Sequence, residues 1–197
     1  MNYVRSKCLL IIAFFVLHIF GSQVFAQDTV RITAFGYQPN SRENAVPFVI
    51  KALAACKTKA RPVLVFAKGR YDFWPQYSAE KLYYESNTDV IPVRYCPILI
   101  EGFKNIEVDG MGSDFIFHGR IQPITIDSSD NVLVKNINID WDIPMTAQAQ
   151  VKAVNNEYLE IEINILESPY IIEDDKIVFV GEGWKSKMSE GGIMEFD

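Results

Sequence analysis

The sequence predicts an all-β chain wound as a parallel β-helix and capped by one helix, on three observations. The stretch Pro97-Ile98-Leu99-Ile100-Glu101-Gly102-Phe103-Lys104-Asn105-Ile106-Glu107-Val108 returns as Pro123-Ile124-Thr125-Ile126-Asp127-Ser128-Ser129-Asp130-Asn131-Val132-Leu133-Val134, at a constant offset of 26. A unit this short cannot bury its own apolar face and must stack on a copy of itself. The second pass then runs on with Ile137, Ile139 and Trp141 alternating with Asn138, Asp140 and Asp142, three apolar side chains turned into the coil and three polar ones turned out. The third observation is an amphipathic helix placed ahead of the repeat. An open coil end exposes apolar side chains and strand edges, and such a helix covers them.

Taken in order, the chain starts with Arg5 and Lys7, an apolar run from Cys8 to Phe20, and Gly21-Ser22-Gln23-Val24-Phe25-Ala26. This is the pattern of a secretory signal peptide cut after Ala26, and the 13-residue run falls short of the roughly 20 that a spanning helix needs. The chain is therefore expected to be exported, to the periplasm, the cell surface or the medium, without membrane insertion once the leader is removed. Cutting there removes 2 of the 19 basic residues and none of the 25 acidic ones, leaving a formal charge of −8. That balance argues against a nucleic-acid partner or an anionic membrane surface.

Cys56 and Cys96 are the thiols left after cleavage. An even pair can bridge in an oxidising compartment, but two separate small apolar residues is the preferred reading. His118 is the single remaining histidine, so no metal site of the usual ligand types and no cofactor is expected. It reads as a satisfied polar residue rather than a general base.

Thr29 to Ala34 alternates as a short edge strand, ended by Gly36, Pro39 and Asn40. The helix runs from Ala45 to Cys56. Asn44 is its expected cap, because that choice leaves Pro47 in the first turn where a missing N–H costs nothing. Pro62 to Phe66 forms the entry strand, leading into Gly69-Arg70-Tyr71. The aromatic segment Tyr71-Asp72-Phe73-Trp74-Pro75, with Tyr77, Tyr83 and Tyr84, is assigned to the coil interior before sugar stacking. Ser86 to Arg94 reads as a loop or irregular strand.

Within the repeat, Asn105 and Asn131 occupy equal positions one coil apart, where stacked side-chain amides hydrogen-bond along the axis. The corner Asp109-Gly110-Met111-Gly112 departs from its counterpart Lys135-Asn136-Ile137-Asn138. After Pro144 the rhythm changes to a hairpin: Ala147, Ala149, Val151 and Ala153 alternate, Asn155-Asn156 turns, and Leu159, Ile161 and Ile163 alternate again. A further strand, Lys176 to Val180, precedes Gly181-Glu182-Gly183-Trp184. No return to the 26-residue period follows, so the chain reads as the front part of a longer protein.

No phosphate loop, nucleophile elbow or dinucleotide fingerprint is present. What remains is carboxylates on a grooved scaffold. Asp140 and Asp142, two apart on one strand, share the outward face with Cα atoms roughly 6.5 to 7 Å apart. Inverting glycosidases hold two carboxyls roughly 6.5 to 9.5 Å apart, a span this pair can reach. A structural role still outweighs sugar binding here, and sugar binding outweighs catalysis. Asp140, Trp141, Asp142 and Trp184 are the candidate substrate-binding residues.

An amphipathic helix, an apolar strand and a Gly-x-Tyr turn in this order resemble the entry segment of pectate-lyase-like β-helix proteins. A closer resemblance is carried by Arg31-Ile32, Phe35-Gly36-Tyr37-Gln38-Pro39-Asn40-Ser41-Arg42-Glu43-Asn44, Gly69-Arg70-Tyr71-Asp72-Phe73-Trp74-Pro75, Asp109-Gly110, Phe115-Ile116-Phe117-His118-Gly119, Asn138-Ile139-Asp140-Trp141-Asp142 and Gly181-Glu182-Gly183-Trp184-Lys185. Together these strings resemble the N-terminal region of the exo-acting α-1,3-galactosidases of glycoside hydrolase family 110. The resemblance implies a right-handed parallel β-helix enzyme of gut-type bacteria, acting with inversion and without a metal. It would remove terminal α-1,3-linked galactose from blood-group-B or linear α-galactosyl oligosaccharides and glycoconjugates. It also implies that the catalytic acids lie beyond Asp197, so no catalytic residue is assigned in this chain.

The expected organisation is a signal peptide at 1–26, then strand, capping helix and entry strand at 27–75. The first β-helix rungs follow at 76–145, an inserted hairpin and strand at 146–180, and the start of further structure at 181–197. Two rival readings are a β-helix polysaccharide lyase, which would want a Ca²⁺ carboxylate cluster and a basic proton abstractor, and a non-catalytic glycan-binding or inert fragment.

Overall fold

The computed structural model describes residues 28–84 and 93–187. The leader expected at 1–26, most of the loop expected at 86–94 and the last part of the segment expected at 181–197 lie outside the described residues. Strands dominate what is described, with one α-helix among them, so the chain is all-β.

β1 (Asp28–Arg31) is an edge strand paired in parallel with β2 (Pro62–Val65). It stops three residues before the predicted end at Ala34, because Ile32–Phe35 winds into a 3₁₀ turn. Gly36 closes that turn at φ 102°, its N–H donating to Thr33 O, and the winding delivers Ile32 fully buried into the core. The α-helix α1 (Val46–Cys56) follows, with Pro47 in its first turn as expected. The N-cap position is Ala45, one residue later than expected, and has no side-chain cap bond; Asn44, just before it, still accepts the Val46 N–H through its side-chain oxygen at 3.1 Å. Val46, Val49, Ala52, Leu53 and Cys56 form its buried face. Cys56 and Cys96 are both buried free thiols, and burial pushes the Cys56 thiol up to about 11.

β3 (Arg70–Phe73) was not foreseen as a strand, and β4 (Ala79–Leu82) and β5 (Val93–Cys96) form an unforeseen antiparallel pair. β6 (Ile98–Glu101) and β7 (Ile106–Phe117) carry the first pass of the repeat. β8 (Ile124–Asp127) and β9 (Val132–Trp141) carry the second. The repeat register holds in space: Ile98 lies beside Ile124 and Ile106 beside Val132, all in parallel. At Asp109 the register shifts, so that Ser113 pairs with Ile137. The diverging Asp109-Gly110-Met111-Gly112 corner is this bulge. A Cβ on Gly110 would sit 2.5 Å from Asn136 O, so the two strands approach there only because that residue is glycine. Asn131 Nδ2 donates to Asn105 Oδ1 at 2.7 Å, forming the expected amide ladder.

β7 is the backbone of the assembly. Its first part pairs with β2, its second with β3, and β9 flanks both parts, every pairing parallel. The inward aromatics follow from that register: Phe73 stacks on Phe117 at 5.0 Å, and Trp141 tilts against Phe117 at 5.7 Å. Tyr71 and Phe73 are core residues, so the aromatic segment does fill the interior, while Tyr77 and Tyr84 stand exposed. Of the three side chains expected inside, Ile137 and Trp141 pack on the core, whereas Ile139 is 48% exposed on the last strand.

The remaining strands are antiparallel. β10 (Gln150–Val154) and β11 (Leu159–Glu162) make the expected hairpin, beginning later than Ala147. β12 (Tyr170–Glu173), β13 (Lys176–Gly181) and β14 (Trp184–Lys187) form a separate three-stranded sheet, of which the sequence indicated the central member.

Candidate functional site

The site grows from strand alternation on β3, β7 and β9. Arg70, Asp114 and Asn138 stand in one cross-strand row, and Asp72, Ile116 and Asp140 in the next. The register continues one step past the strand ends, since His118 N–H donates to Phe73 O and Asp142 N–H to Phe117 O. Trp74, His118 and Asp142 therefore form a third row on the same outward face. With Tyr71, Phe73, Phe115 and Phe117 filling the inward face, the polar residues between them have to face out.

Asp72 is the hub of this face, and it is fully buried despite its outward direction. Arg70 Nε donates to its two oxygens at 2.9 and 3.1 Å and Arg70 Nη2 to Oδ1 at 2.6 Å. His118 Nε2 lies 3.1 Å from the same oxygen and Arg42 Nη1 4.0 Å from it. Burial alone would raise the pKa of Asp72, but the hydrogen bonds from Arg70 and His118 outweigh it and hold the carboxyl below the usual carboxylate range. Arg70 is raised in turn, mainly by its hydrogen bond to Asp72.

Arg70 Nη2 also donates to Asp142 Oδ1 at 2.8 Å, so one guanidinium joins the buried carboxylate to the exposed one. His118 lies flat on the Trp74 indole, 3.8 Å between centroids and 6° between planes. Its Nδ1 is 2.7 Å from Glu182 Oε1, in the turn between β13 and β14. Gly119 N–H donates to the other Glu182 oxygen, and Gly119 O accepts the Trp141 indole N–H at 3.2 Å. His118 is thus the satisfied polar residue that the sequence suggested.

The sequence-derived candidates fall in different places. Asp142 joins the network, while Asp140 is exposed, its Oδ1 accepting the Trp141 backbone N–H. Trp141 is turned inward. Trp184 lies in the same turn as Glu182, its indole packed over Gly181 so closely that a Cβ there would approach to 2.2 Å. The Trp184 Nε1 is buried without a protein partner. Sequence reasoning passed over Arg70, Asp72, Trp74 and Glu182. The one local signal for the first three is the Arg-x-Asp-x-Trp alternation, which puts them on one side of a strand.

Chemically, the face offers hydrogen-bond acceptors and a fixed cation. Asp142 beside a guanidinium is built to accept hydroxyl hydrogens, and Asp140 is open to do the same. Donor atoms of His118, Asp142 and Glu182 come within 4.8 Å of one another. The positive charge among these acids is Arg70, which already occupies Asp142 Oδ1.

Comparison with known proteins follows the same lines. Residues 147–197 match the family model described as GLAA-B beta-barrel domain I. An alpha-1,3-galactosidase B from Bacteroides thetaiotaomicron is 48% identical over 176 residues, covering 89% of this chain and 28% of that protein. An alpha-1,3-galactosidase A from Shewanella woodyi is 36% identical over 180 residues, covering 90% of this chain and 29% of that protein. An alpha-1,3-galactosidase B from Phocaeicola vulgatus is 37% identical over 180 residues, covering 87% and 30% respectively. The chain spans less than a third of the length of these curated relatives. Along about nine-tenths of its own length, this chain is similar in sequence to the α-1,3-galactosidases, the family that its strings resemble.

Proposed function

We propose that this chain is part of an exported, exo-acting glycoside hydrolase that removes terminal α-1,3-linked galactose from glycans with inversion. The observation that carries the reading is the 48% identity to an alpha-1,3-galactosidase along 89% of the chain. Blood-group-B and linear α-galactosyl glycans are the substrates proposed, and the leader pattern at 1–26 is the proposed route of export. Among the described residues, no helix is long and apolar enough to cross a membrane.

The parallel ladders at the repeat offset support a right-handed parallel β-helix in which α1 covers the first coil. On that scaffold the outward face at the ends of β3, β7 and β9 is the proposed rim of the sugar site. Asp140 and Asp142 accept hydrogen bonds from galactose hydroxyls. Trp141 braces the rim from inside through Gly119, and Trp184 holds the turn beside it. The general acid and base are not assigned to described residues, so this face contributes binding and orientation rather than proton transfer.

The test is to express the complete reading frame that encodes this chain and supply an α-1,3-galactosyl disaccharide. Release of galactose, first as the β-anomer by NMR, is the expected result. Release as the α-anomer contradicts inversion, and no release contradicts the assigned activity. An unsaturated product from a uronic-acid polymer would instead establish a lyase.

A further inference from the structure

The chain between β1 and α1 runs along the edge of β3 and is pinned to it at two places. Asn40 N–H donates to Arg70 O, and the Arg70 N–H donates back to Asn40 Oδ1, both at 2.9 Å. Asn44 bridges Asp72 in parallel, its Oδ1 accepting the Trp74 N–H and its Nδ2 donating to Gln76 O. Four residues of this chain therefore keep pace with two of β3, and the surplus at Ser41, Arg42 and Glu43 rises as an exposed crest. Arg42 stands at its middle, in left-handed backbone at φ 63°. Glycine, asparagine and aspartate are at ease there, and arginine is not. Outside those three types, Tyr77, Met111 and Ser128 share such a φ among the described residues, and of the four Arg42 is the one paired with Asp72. Its Nη1 is 4.0 Å from Asp72 Oδ1, an ion pair too long for a hydrogen bond. Asp72 already receives three hydrogen bonds from Arg70. The Arg42 side chain is 63% exposed, and among the described residues no hydrogen bond engages its N–H groups. A strained backbone that holds up a guanidinium whose donors the fold leaves open points to a role outside the fold.

We propose that Arg42 is a further substrate-binding residue of the outward face, donating hydrogen bonds to hydroxyl or glycosidic oxygens of the α-galactosyl glycan. A sugar hydroxyl both donates and accepts, so a site for it needs both kinds of partner. Asp140 and Asp142 supply the acceptors. Arg70 spends Nε and Nη2 on Asp72 and Asp142, and the ring nitrogens of His118 lie against Asp72 and Glu182. Arg42 is the cation of this face whose donors are open, and contacts through Asp72 and Arg70 link it to Asp142. Its planar fork can meet two neighbouring oxygens at once. The carboxylates beside it disfavour an anionic ligand, so these oxygens are those of a neutral sugar.

This role rests on the galactosidase reading, and the test separates the two. The complete reading frame is expressed as parent, Arg42→Gly and Arg42→Lys, and kcat/KM for an α-1,3-galactosyl disaccharide is measured beside urea unfolding. Glycine is at ease at φ 63°, and the ion pair lost is long and open to water on the arginine side. The urea midpoint of Arg42→Gly is therefore expected to equal or exceed the parent's. Its kcat/KM is expected to fall about tenfold, the loss of one charged hydrogen bond. Arg42→Lys keeps a donor and the left-handed strain, so it is expected to recover part of kcat/KM without a gain in stability. Unchanged kcat/KM in Arg42→Gly beside an active parent overturns this role alone. So does a urea midpoint below the parent's, which would assign Arg42 to holding Asp72. A parent that releases no galactose overturns the galactosidase reading and this role with it.

Discussion

Arg70 holds Asp142 through the same nitrogen that holds Asp72: Nη2 is 2.8 Å from the exposed carboxylate and 2.6 Å from the buried one. The two contacts differ in worth because their surroundings differ. The Asp142 side chain is 45% exposed, where water competes, while the Asp72 side chain is 1% exposed and has no such alternative. Arg70→Met leaves Asp72 buried with its main counter-charge gone and is expected to cost about 3 to 5 kcal/mol. Asp142→Asn breaks only the exposed pair and is expected to cost less than about 1 kcal/mol. Urea unfolding of both variants measures the difference, and equal costs would show that Asp72 is not the hub.

Asp72 also sets the response to acid. Burial opposes its charge, but hydrogen bonds from Arg70 and His118 prevail and leave its folded pKa below the unfolded one. A group depressed in this way contributes stability that is fully present above the unfolded value and is lost as pH falls through the folded one. The native protein is expected to lose stability across that acid range. Asp72→Asn is expected to be less stable at neutral pH and to show a shallower acid decline. Unfolding midpoints against pH for the two proteins provide the check.

The amide ladder separates a conformational effect from a hydrogen bond. Asn131 sits at φ 52° while donating to Asn105. Asn131→Ala loses the bond and also the side-chain amide that eases an asparagine in left-handed backbone, two penalties of up to about 1 kcal/mol each. Asn131→Gly keeps the backbone at ease, so it is expected to be the milder change. Asn105→Ala loses the bond alone and is expected to fall near Asn131→Gly. Equal costs for Ala and Gly at position 131 would remove the backbone from the explanation.

What could be read in advance follows from how local each signal is. The rungs were legible because Pro97 and Pro123 open two like strings, and α1 because Asn44 and Pro47 mark its start. The early end of β1 was hidden because Ile32 fits an alternating strand as well as a 3₁₀ turn, and a glycine at position 36 can end a strand as readily as it closes that turn at φ 102°. β3 was hidden because its four residues follow a glycine and gain a strand's pairing only from β7. At the site, alternation alone exposed Asp140 and Asp142. Their setting did not show, because His118 meets partners 46 and 64 positions away, at Asp72 and Glu182. Such contacts belong to the register between strands, which no single stretch of sequence carries.

The central claim is that the outward face ending at Asp142 forms part of a site for terminal α-1,3-linked galactose. Its most direct test is kcat/KM for galactose release from an α-1,3-galactosyl disaccharide, measured on the complete reading frame with Asp140→Asn and Asp142→Asn. Each substitution is expected to lower kcat/KM about tenfold, because the amide oxygen accepts a hydroxyl hydrogen without the carboxylate's charge, with the urea midpoint close to that of the parent. Unchanged kcat/KM in both variants would contradict the claim.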